Sequence, residues 1–304
     1  MYPAIVLPLA LLIDRLAGDP DSGIHPVALL GRLINWWGKP EKWPVRTRKF
    51  AGAVMWVLTV FIFAVPFFLV SIILPWYLYL VCAPFLLKIC FAWRALEEHT
   101  NRVVSAARYD LTLARAQVGM MVSRDSGSLT NEQVLSAGYE SMSENLVDSI
   151  ISPLFFFGLA GLTGAAVYRA ANTMDAMLGY KDERIDLGWW SARMDDIFNY
   201  IPARITGLLL LLYFASQGRF HPAYETLKLD GKKRPGFNGG IPMAIMAGGT
   251  GVRFDKPGVY TIGPGCRSLE EGGPDILKAV RVITLVFSAL LIGTLLLLQV
   301  LLNI

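Results

Sequence analysis

Long apolar runs separated by polar segments dominate the chain. They occupy residues 2–17, 51–74, 76–93, 150–171, 205–217 and 279–302. A helix needs about 20 apolar residues to cross a bilayer, so the runs at 51–74, 76–93 and 279–302 predict membrane-spanning helices, and the shorter ones predict tilted or partly inserted helices. We therefore expect an all-α, polytopic integral membrane helical bundle with cytoplasmic amphipathic helices and long cytoplasmic loops, formed as a single membrane-embedded domain over 1–304.

Residues 94–149 follow a different pattern, typical of helices that bury one stripe. The apolar positions with helical spacing are Leu96, Val103, Val104, Ala107, Leu111, Ala114 and Val118. A capping box at Thr130 and Gln133 predicts the start of the next helix. We interpret 94–149 as a cytoplasmic helical insert. Residues 218–278 are basic and rich in Gly and Pro, which predicts a long loop, and the GGTG run within it is weak evidence for phosphate binding.

Basic residues set the expected topology. Arg46, Arg48 and Lys49 precede the run at 51–74, which assigns that loop to the cytoplasm and the N-terminus to the outside. The run at 150–171 contains Pro153 and three glycines, so it either crosses the membrane fully or is broken and re-entrant. We expect the broken form, because it keeps the polar segments before and after the run on one side.

Composition agrees with a membrane protein. Mean hydropathy is +0.46 and 54% of residues are hydrophobic, which is high for a soluble protein. The net charge of +4 is scattered over loops, which favours a positive cytoplasmic face and anionic ligands and gives no nucleic-acid groove. Three cysteines without a CxxC pair and three histidines indicate neither disulfides nor a zinc site.

Two groups of acidic residues flank the run at 150–171. Glu140, Glu144 and Asp148 recur every four residues, which places three carboxylates on one helix face. Oxygen ligands of this kind suit Mg²⁺, although a solvated helix face is the alternative. The second group contains Asn172, Asp175, Arg193, Asp195, Asp196, Asn199 and Arg204. It predicts a site for a metal-bound polyphosphate, or else a set of internal ion pairs. We expect both groups to converge on one site at the inner face.

The segment before Trp36 and Trp37 brings further polar residues to the membrane edge. Asp19 and His25 lie among turn residues, and His25 is either a ligand contact or an ordinary surface residue. The two tryptophans suit an interfacial belt. Lys88, inside an apolar run, is expected to face the bundle or to reach the interface.

Several motifs in order resemble one known family. They are GDP…HPV, SRDSGSL, ESMSENLVDSIISPLFF, NTMDAMLGYKDER, SARMDDIFNYIPAR and PGFNGGIPMAIMAGGTGVR…PGVY. Together they resemble the adenosylcobinamide-phosphate synthase family of cobalamin biosynthesis, CobD/CbiB, over nearly the whole chain. The sequence departs from the family pattern where Ser123 and Ser126 flank Arg-Asp, at Asp148-Ser149, and in the RPGFNGG turn.

The resemblance implies a ligase that uses ATP and Mg²⁺ to join adenosylcobyric acid to (R)-1-aminopropan-2-ol or its O-phosphate. The implied catalytic residues are Glu140, Glu144, Asp148, Asp175, Asp195 and Asp196. The implied metal ligands are Glu140, Glu144, Asp175, Asp195 and Asp196. The implied substrate-binding residues are Asp19, His25, Arg124, Asp125, Asn145, Asn172, Tyr180, Lys181, Arg193, Asn199, Arg204 and Asn238. A separate basic pocket for the phosphate of the amine is expected from Arg124, Lys181, Lys232, Lys233 and Arg234.

Two other function classes fit parts of the pattern. A prenyl or CDP-alcohol transferase also uses acidic helices and Mg²⁺ at a membrane edge, but the chain lacks a DxxxD partner for Asp175 and a DGxxAR run. A corrinoid transporter or scaffold explains the helices but not the acidic groups. The expected location is the cytoplasmic membrane, with the lipid bilayer and other membrane enzymes of late cobalamin assembly as partners.

Overall fold

The computed structural model describes residues 2–19, 23, 25–122 and 124–302. Pro20 and Ser123, which belong to two of the motifs above, lie outside these ranges. The helices are α1 Tyr2–Ala17, α2 Pro26–Trp37, α3 Arg48–Ile73, α4 Trp76–Cys90, α5 Trp93–Ala107, α6 Leu111–Gly119, α7 Asn131–Asn145, α8 Ser152–Leu178, α9 Trp189–Phe198, α10 Tyr200–Ser216, α11 Phe220–Asp230, α12 Gly240–Thr250 and α13 Leu269–Leu302. The strands are β1 Phe254–Lys256 and β2 Tyr260–Ile262.

The fold is mostly helical, and several helices are suited to a membrane. Four helical stretches of the described chain are long and apolar enough to cross one, namely Val45–Ile73, Trp76–Ala107, Asn131–Leu178 and Leu269–Leu301. A fifth is obtained if the bent pair α9 and α10 forms one span. The prediction of a mostly helical membrane protein is therefore confirmed. Helix α1 begins and ends at the predicted residues, but with 16 residues it is too short to count among these spans.

By internal contacts the chain forms two compact units. The first contains residues 1–92, 152–199 and 288–304, and the second contains residues 93–151 and 200–287. Each unit therefore combines segments that are far apart in sequence. The expectation of one domain over 1–304 stays a prediction.

In the first unit, α8 is broken at its ninth and tenth residues. Ala160 and Gly161 have non-helical backbone angles, and Gly161 has φ of 60° and ψ of −149°. The ring of Phe156 stacks on Tyr168 with centroids 5.3 Å apart. In a straight helix, 12 residues advance about 18 Å. The two arms therefore fold back on each other, and the run at 150–171 has the broken form.

Close backbone contacts hold the rest of this unit together. Helix α3 packs on α8 and α9, and α4 packs on α1 and α8. Gly52 of α3 lies against the carbonyl oxygen of Leu187, so a Cβ at that position would sit 2.0 Å from it. Trp37 is 1% exposed and donates a hydrogen bond to Thr59 at 3.0 Å. The belt prediction is therefore wrong for Trp37, whereas Trp36 is exposed.

Helix α12 forms the centre of the second unit. All of its residues except the half-buried Ile241 are buried, and it packs against α10, α11 and α7. A Cβ at Gly249 would lie 2.4 Å from the Phe214 ring, so this glycine permits close helix packing. Gly251 ends the helix with φ of 79°, a conformation that glycine adopts without strain. The GGTG run is therefore a packed helix end and not a phosphate-binding loop.

Helices α5, α6 and α7 complete the second unit. Their core contains Val103, Ala114, Val118 and Val134, so most of the predicted stripe is buried. The capping box between Thr130 and Gln133 is present and starts α7, as predicted. A π-helical turn, Leu146–Ile151, follows α7.

The segment 218–278 is not a long loop. It forms α11, α12, an antiparallel β1–β2 hairpin and the first turns of α13, which begins ten residues before the predicted position. The sequence prediction failed here because the glycine and proline residues that are typical of loops serve close packing in α12 and the turn of the hairpin. The hairpin turn contains Gly258, whose φ is 71°.

Candidate functional site

The carboxylate of Glu140 is the most buried acidic group on α7. Glu140 is 5% exposed. Its Oε1 accepts hydrogen bonds from Ser136 Oγ at 2.6 Å and from Arg124 Nη2 at 3.2 Å, and its Oε2 accepts one from Tyr260 at 2.8 Å. Three donors on one carboxylate offset the cost of burying its charge. The solvated-face alternative is therefore wrong for this residue.

Arg124 reaches this carboxylate from the turn before α7. Its pairing partner is Glu140 and not the neighbouring Asp125, whose carboxylate accepts the backbone N–H of Gly127 at 2.9 Å. Arg124 Nη1 also approaches the carbonyl oxygen of Asp255 at 3.5 Å. The Nε of Arg124 is buried without a hydrogen-bond partner in the described chain. A buried donor of this kind favours an acceptor from outside the protein, such as a phosphate oxygen.

One turn further along α7, Glu144 forms an ion pair with Arg234 from the segment between α11 and α12. Burial of the Arg234 guanidinium opposes its charge, but Glu144 and Asp148 outweigh this and raise its pKa. Arg234 therefore stays protonated. The three predicted carboxylates Glu140, Glu144 and Asp148 thus act on guanidinium groups of the same unit.

Tyr260 of β2 completes this group. Burial, followed by the charge of Glu140 and the hydrogen bond to it, raises the pKa of the Tyr260 phenol. The phenol therefore remains protonated and acts as a donor at neutral pH. We call Arg124, Ser136, Glu140, Glu144, Arg234 and Tyr260 the α7 site.

Two predicted substrate-binding residues of the second unit pair with each other. Arg204 of α10 donates to Asn238 at 3.0 Å and to the carbonyl oxygen of Tyr200 at 2.7 Å. Its guanidinium lies over the Tyr200 ring, 3.3 Å from the centroid. Asn145, also predicted, donates to the carbonyl oxygen of Ser141 at 3.0 Å, which is a local helix contact.

The first unit has its own charged group next to α1. Lys88 is 5% exposed and bonds to Asp19, and it lies 3.9 Å from Asp14. His25 Nε2 is 3.8 Å from the Asp19 carboxylate. Burial of the His25 ring is the main cause that lowers its pKa, and the positive charges of Lys88 and Arg169 act in the same direction. Lys88 therefore faces the bundle, as one of the two alternatives predicted.

The second acidic group lies partly in an amide network. Asp195 accepts from Asn199 at 2.9 Å and from Asn172 at 3.2 Å, one on each oxygen. Asn199 is 1% exposed, and its Oδ1 accepts from both Ser152 at 2.6 Å and Tyr168 at 2.8 Å. Ser152 and Tyr168 stand on opposite arms of α8, so Asn199 holds the open end of this helical hairpin.

The other predicted residues of this unit are spread over the segment after α8. Asp175 lies beside Gly179, where a Cβ would come within 2.1 Å of the Asp175 carboxylate. The guanidinium carbon of Arg184 lies over the Tyr180 ring, 4.2 Å from its centroid. Lys181 and Arg193 are exposed, and Asp196 is half-buried.

The predicted convergence of the two acidic groups stays a prediction, because the acids of the first group belong to the second unit and those of the second group belong to the first unit. The described residues contain no group of three or more His, Cys, Asp or Glu side chains able to hold a metal ion. Both oxygens of Glu140 and of Asp195 already accept protein donors. These residues do not fit a ready-made cage for Mg²⁺.

Several contributing residues were absent from the predicted site. Ser136, Asp255 and Arg169 lie outside the regularly spaced acids and the quoted motifs, and Lys88 is isolated in an apolar run. Tyr260 ends the PGVY motif but has no predicted role. Only the charge of Lys88 in that run and the place of Tyr260 in the PGVY motif could have indicated them. Arg169 has a buried Nε without a partner in the described chain.

Comparison with known proteins identifies the family. The model of the CobD/Cbib protein family matches residues 7–295. The chain belongs to the CobD/CbiB family of cobalamin biosynthesis proteins. It is 36% identical to the probable cobalamin biosynthesis protein CobD of Methanothermobacter thermautotrophicus, with 94% of each chain covered. It is 39% identical to that of Thermococcus kodakarensis, covering 98% of this chain and 97% of the relative. The corresponding Pyrococcus abyssi protein is 41% identical, with 94% and 93% covered. No solved structure matches the chain.

Proposed function

We propose that this CobD/CbiB family protein is an ATP-dependent ligase that joins adenosylcobyric acid to (R)-1-aminopropan-2-ol or its O-phosphate. Membership in a cobalamin biosynthesis family supports the pathway. The observation that best supports the chemistry is the face of α7, where the buried Glu140 and the half-buried Glu144 hold two guanidinium groups in place. Fixed positive groups are what a reaction between a carboxylate and a polyphosphate requires.

The reaction needs an activated acyl group, because a carboxylate does not react with an amine at neutral pH. In the proposed first step, an oxygen of the substrate carboxylate attacks the terminal phosphorus of ATP, the P–O bond to ADP breaks, and an acyl phosphate forms. In the second step, the amine nitrogen attacks the acyl carbon and the C–O bond to phosphate breaks. The products are the amide, ADP and phosphate. The ammonium loses one proton to a base before the attack and a second as the amide forms, and one of the two is taken up by the released phosphate.

Arg124 and Arg234 are the groups proposed to neutralise the transferred phosphoryl group. Arg124 has one buried donor, Nε, without a protein acceptor in the described chain. Its guanidinium is held in orientation by Glu140, and Arg234 is held by Glu144. Guanidinium groups match phosphate oxygens with two parallel hydrogen bonds. Glu140 and Glu144 are then positioning residues for these cations.

The base that accepts the proton of the amine must be a carboxylate with an accessible lone pair. Glu140 is poorly suited, since both of its oxygens accept donors from Arg124, Ser136 and Tyr260. Asp148, Asp175 and Asp196 remain candidates from the acidic groups. We therefore propose that a carboxylate other than that of Glu140 acts as the base.

ATP and Mg²⁺ are parts of this proposal. Mg²⁺ in nucleotide enzymes commonly uses one or two carboxylates together with phosphate oxygens and water, so a complete protein cage is not required. When bound, the ion would neutralise phosphate charge. Because both oxygens of Glu140 and of Asp195 already accept protein donors, no step here is assigned to the metal. We place the reaction at the cytoplasmic membrane, where the candidate spans anchor the protein.

An assay of the purified protein in detergent tests the proposal. Adenosylcobyric acid, ATP, Mg²⁺ and aminopropanol phosphate should yield a new amide, detected by mass, together with consumption of ATP. A transferase would instead consume a prenyl or CDP-alcohol donor. Binding of the corrinoid without product, for any amino alcohol tried, would favour a transporter or scaffold.

A further inference from the structure

A polar cavity of about 320 Å³ opens beside the α7 site. It lies within the second unit, between the start of α7 and the β1–β2 hairpin. Its lining includes Glu132, Gln133, Ser136, Arg253, Asp255 and Thr261. This volume is at the small end of ligand pockets, which suits a molecule of a few heavy atoms and not a corrin.

The cavity lining contains three charged residues, Glu132, Arg253 and Asp255, and none of them has an ion-pair partner in the described chain. Asp255 and Arg253 are the two of opposite sign that stand closest in sequence. The Asp255 carboxylate accepts only from Gln133 at 3.4 Å and from Thr261 at 3.2 Å, and both bonds are long. Arg253 is exposed and has no ion pair among the described residues. By contrast, Arg124 and Arg234 are paired with glutamates, and Lys233 is paired with Asp230. The cations first expected to hold the phosphate of the amine are therefore largely engaged.

The positions of Arg253 and Asp255 match a small ligand with two charges. Residues two apart on an extended strand point to the same face, with Cα atoms about 7 Å apart. A ligand held between them would place a cationic group at Asp255 and an anionic group at Arg253, separated by a few bonds. An amino alcohol phosphate has this arrangement, because two carbons and one ester oxygen separate its ammonium nitrogen from its phosphorus.

We propose that this cavity binds the amine substrate in its phosphorylated form, with the ammonium at Asp255 and the phosphate at Arg253. The inference rests on the proposed function for the identity of the ligand. It also places the amine next to the α7 site, since Ser136 accepts the backbone N–H of Asp255 at 2.7 Å and donates to Glu140. The phosphate gives the ligand a second anchor that the free amino alcohol lacks.

Calorimetric binding to the purified full-length protein in detergent, without ATP or corrinoid, tests the inference. The titrants are 1-aminopropan-2-ol O-phosphate, free 1-aminopropan-2-ol and inorganic phosphate. The phosphorylated amine should bind at least tenfold more tightly than either fragment. Asp255→Asn and Arg253→Gln should each weaken it about tenfold or more, because each removes a charge-assisted contact. Asp255→Glu, which keeps the charge, should bind better than Asp255→Asn.

Glu225→Gln and Lys278→Gln serve as controls, since each removes one charge of the same unit that does not line the cavity; Lys278 is exposed and Glu225 is half-exposed and paired with Lys228. Equal binding of the free and phosphorylated amines, or unchanged binding in both cavity variants with wild-type melting temperatures, would overturn the inference. The inference would also be overturned if only the Arg253 variant weakened binding of the phosphorylated amine and inorganic phosphate bound as tightly as that amine. Amide synthesis is scored separately. Binding without synthesis contradicts the proposed function alone, and synthesis that is insensitive to both variants contradicts this inference alone.

Discussion

The phenol of Tyr260 donates a hydrogen bond of 2.8 Å to Glu140, a residue 120 positions earlier in the chain. This contact joins the β1–β2 hairpin to α7. Arg124 binds the other oxygen of the same carboxylate. The hairpin, the turn before α7 and α7 itself therefore depend on one buried carboxylate, and the orientation of the Arg124 guanidinium depends on the donors around it.

Removal of the phenol tests this dependence. Tyr260→Phe leaves Oε2 of the buried Glu140 without its donor, which costs about 1–3 kcal/mol. We expect a lower melting temperature in detergent and a decrease in kcat/KM of about tenfold or more, because Arg124 loses its fixed position. Tyr109→Phe is the control, since Tyr109 is 89% exposed. Wild-type turnover in Tyr260→Phe would remove the α7 site from catalysis.

Variants of Glu144 and Arg234 test whether this ion pair has a structural or a catalytic role. Glu144→Gln leaves the Arg234 guanidinium with Asp148 as its remaining counter-charge, so we expect a loss of only about 1 kcal/mol in stability but at least a hundredfold loss of turnover. The double variant Glu144→Gln, Arg234→Gln removes both charges. We expect it to regain stability but not turnover. Recovery of both properties together would mean that the pair only supports the fold.

The break in α8 depends on a glycine conformation. At Gly161, with φ of 60°, a Cβ would meet no atom within 4 Å, so any cost of a substitution comes from the backbone alone. We expect Gly161→Ala to destabilise the protein by about 1–3 kcal/mol. Gly293 in α13 has equally open surroundings, and its φ is not positive. Gly293→Ala is therefore expected to leave the melting temperature unchanged or to raise it slightly. Equal effects of the two substitutions would contradict the backbone argument.

His25 gives a pH dependence with a defined sign. Burial lowers its pKa in the folded state below the usual 6.5. The unfolded chain therefore takes up the proton first as the pH falls below 6.5, and stability decreases until the folded His25 also titrates. Melting temperatures in detergent between pH 7.5 and 5 should show this decrease, and His25→Gln should reduce it. His221→Gln, at an exposed position, should leave the slope unchanged. An unchanged slope in His25→Gln would contradict the prediction.

Local patterns in the sequence predicted the individual helices well. They predicted the surroundings of the site less well. Hydrophobic runs, the capping box at Thr130 and the buried stripe around Val103 depend on neighbours a few residues away, and the structure has them. Tyr260 acquires its role only through Glu140, 120 positions away. Ser136 bonds to Glu140 within the same helix, but its contact with Asp255 spans 119 positions. Pairing over such distances has no local pattern. The glycines led to a wrong loop prediction because their role depends on residues distant in sequence. Gly249, for example, permits close packing against Phe214 and does not belong to a flexible loop.

The central claim is activation of a corrinoid carboxylate by ATP followed by amide formation. Adenosylcobyric acid labelled with ¹⁸O in its reacting carboxylate is incubated with the purified protein, ATP, Mg²⁺ and 1-aminopropan-2-ol O-phosphate, and the products are analysed by mass spectrometry. We predict the amide of the two substrates, with one ¹⁸O transferred to the phosphate released from ATP. Folded protein that yields no amide with either form of the amine, or an amide formed without transfer of ¹⁸O to phosphate, would contradict the account.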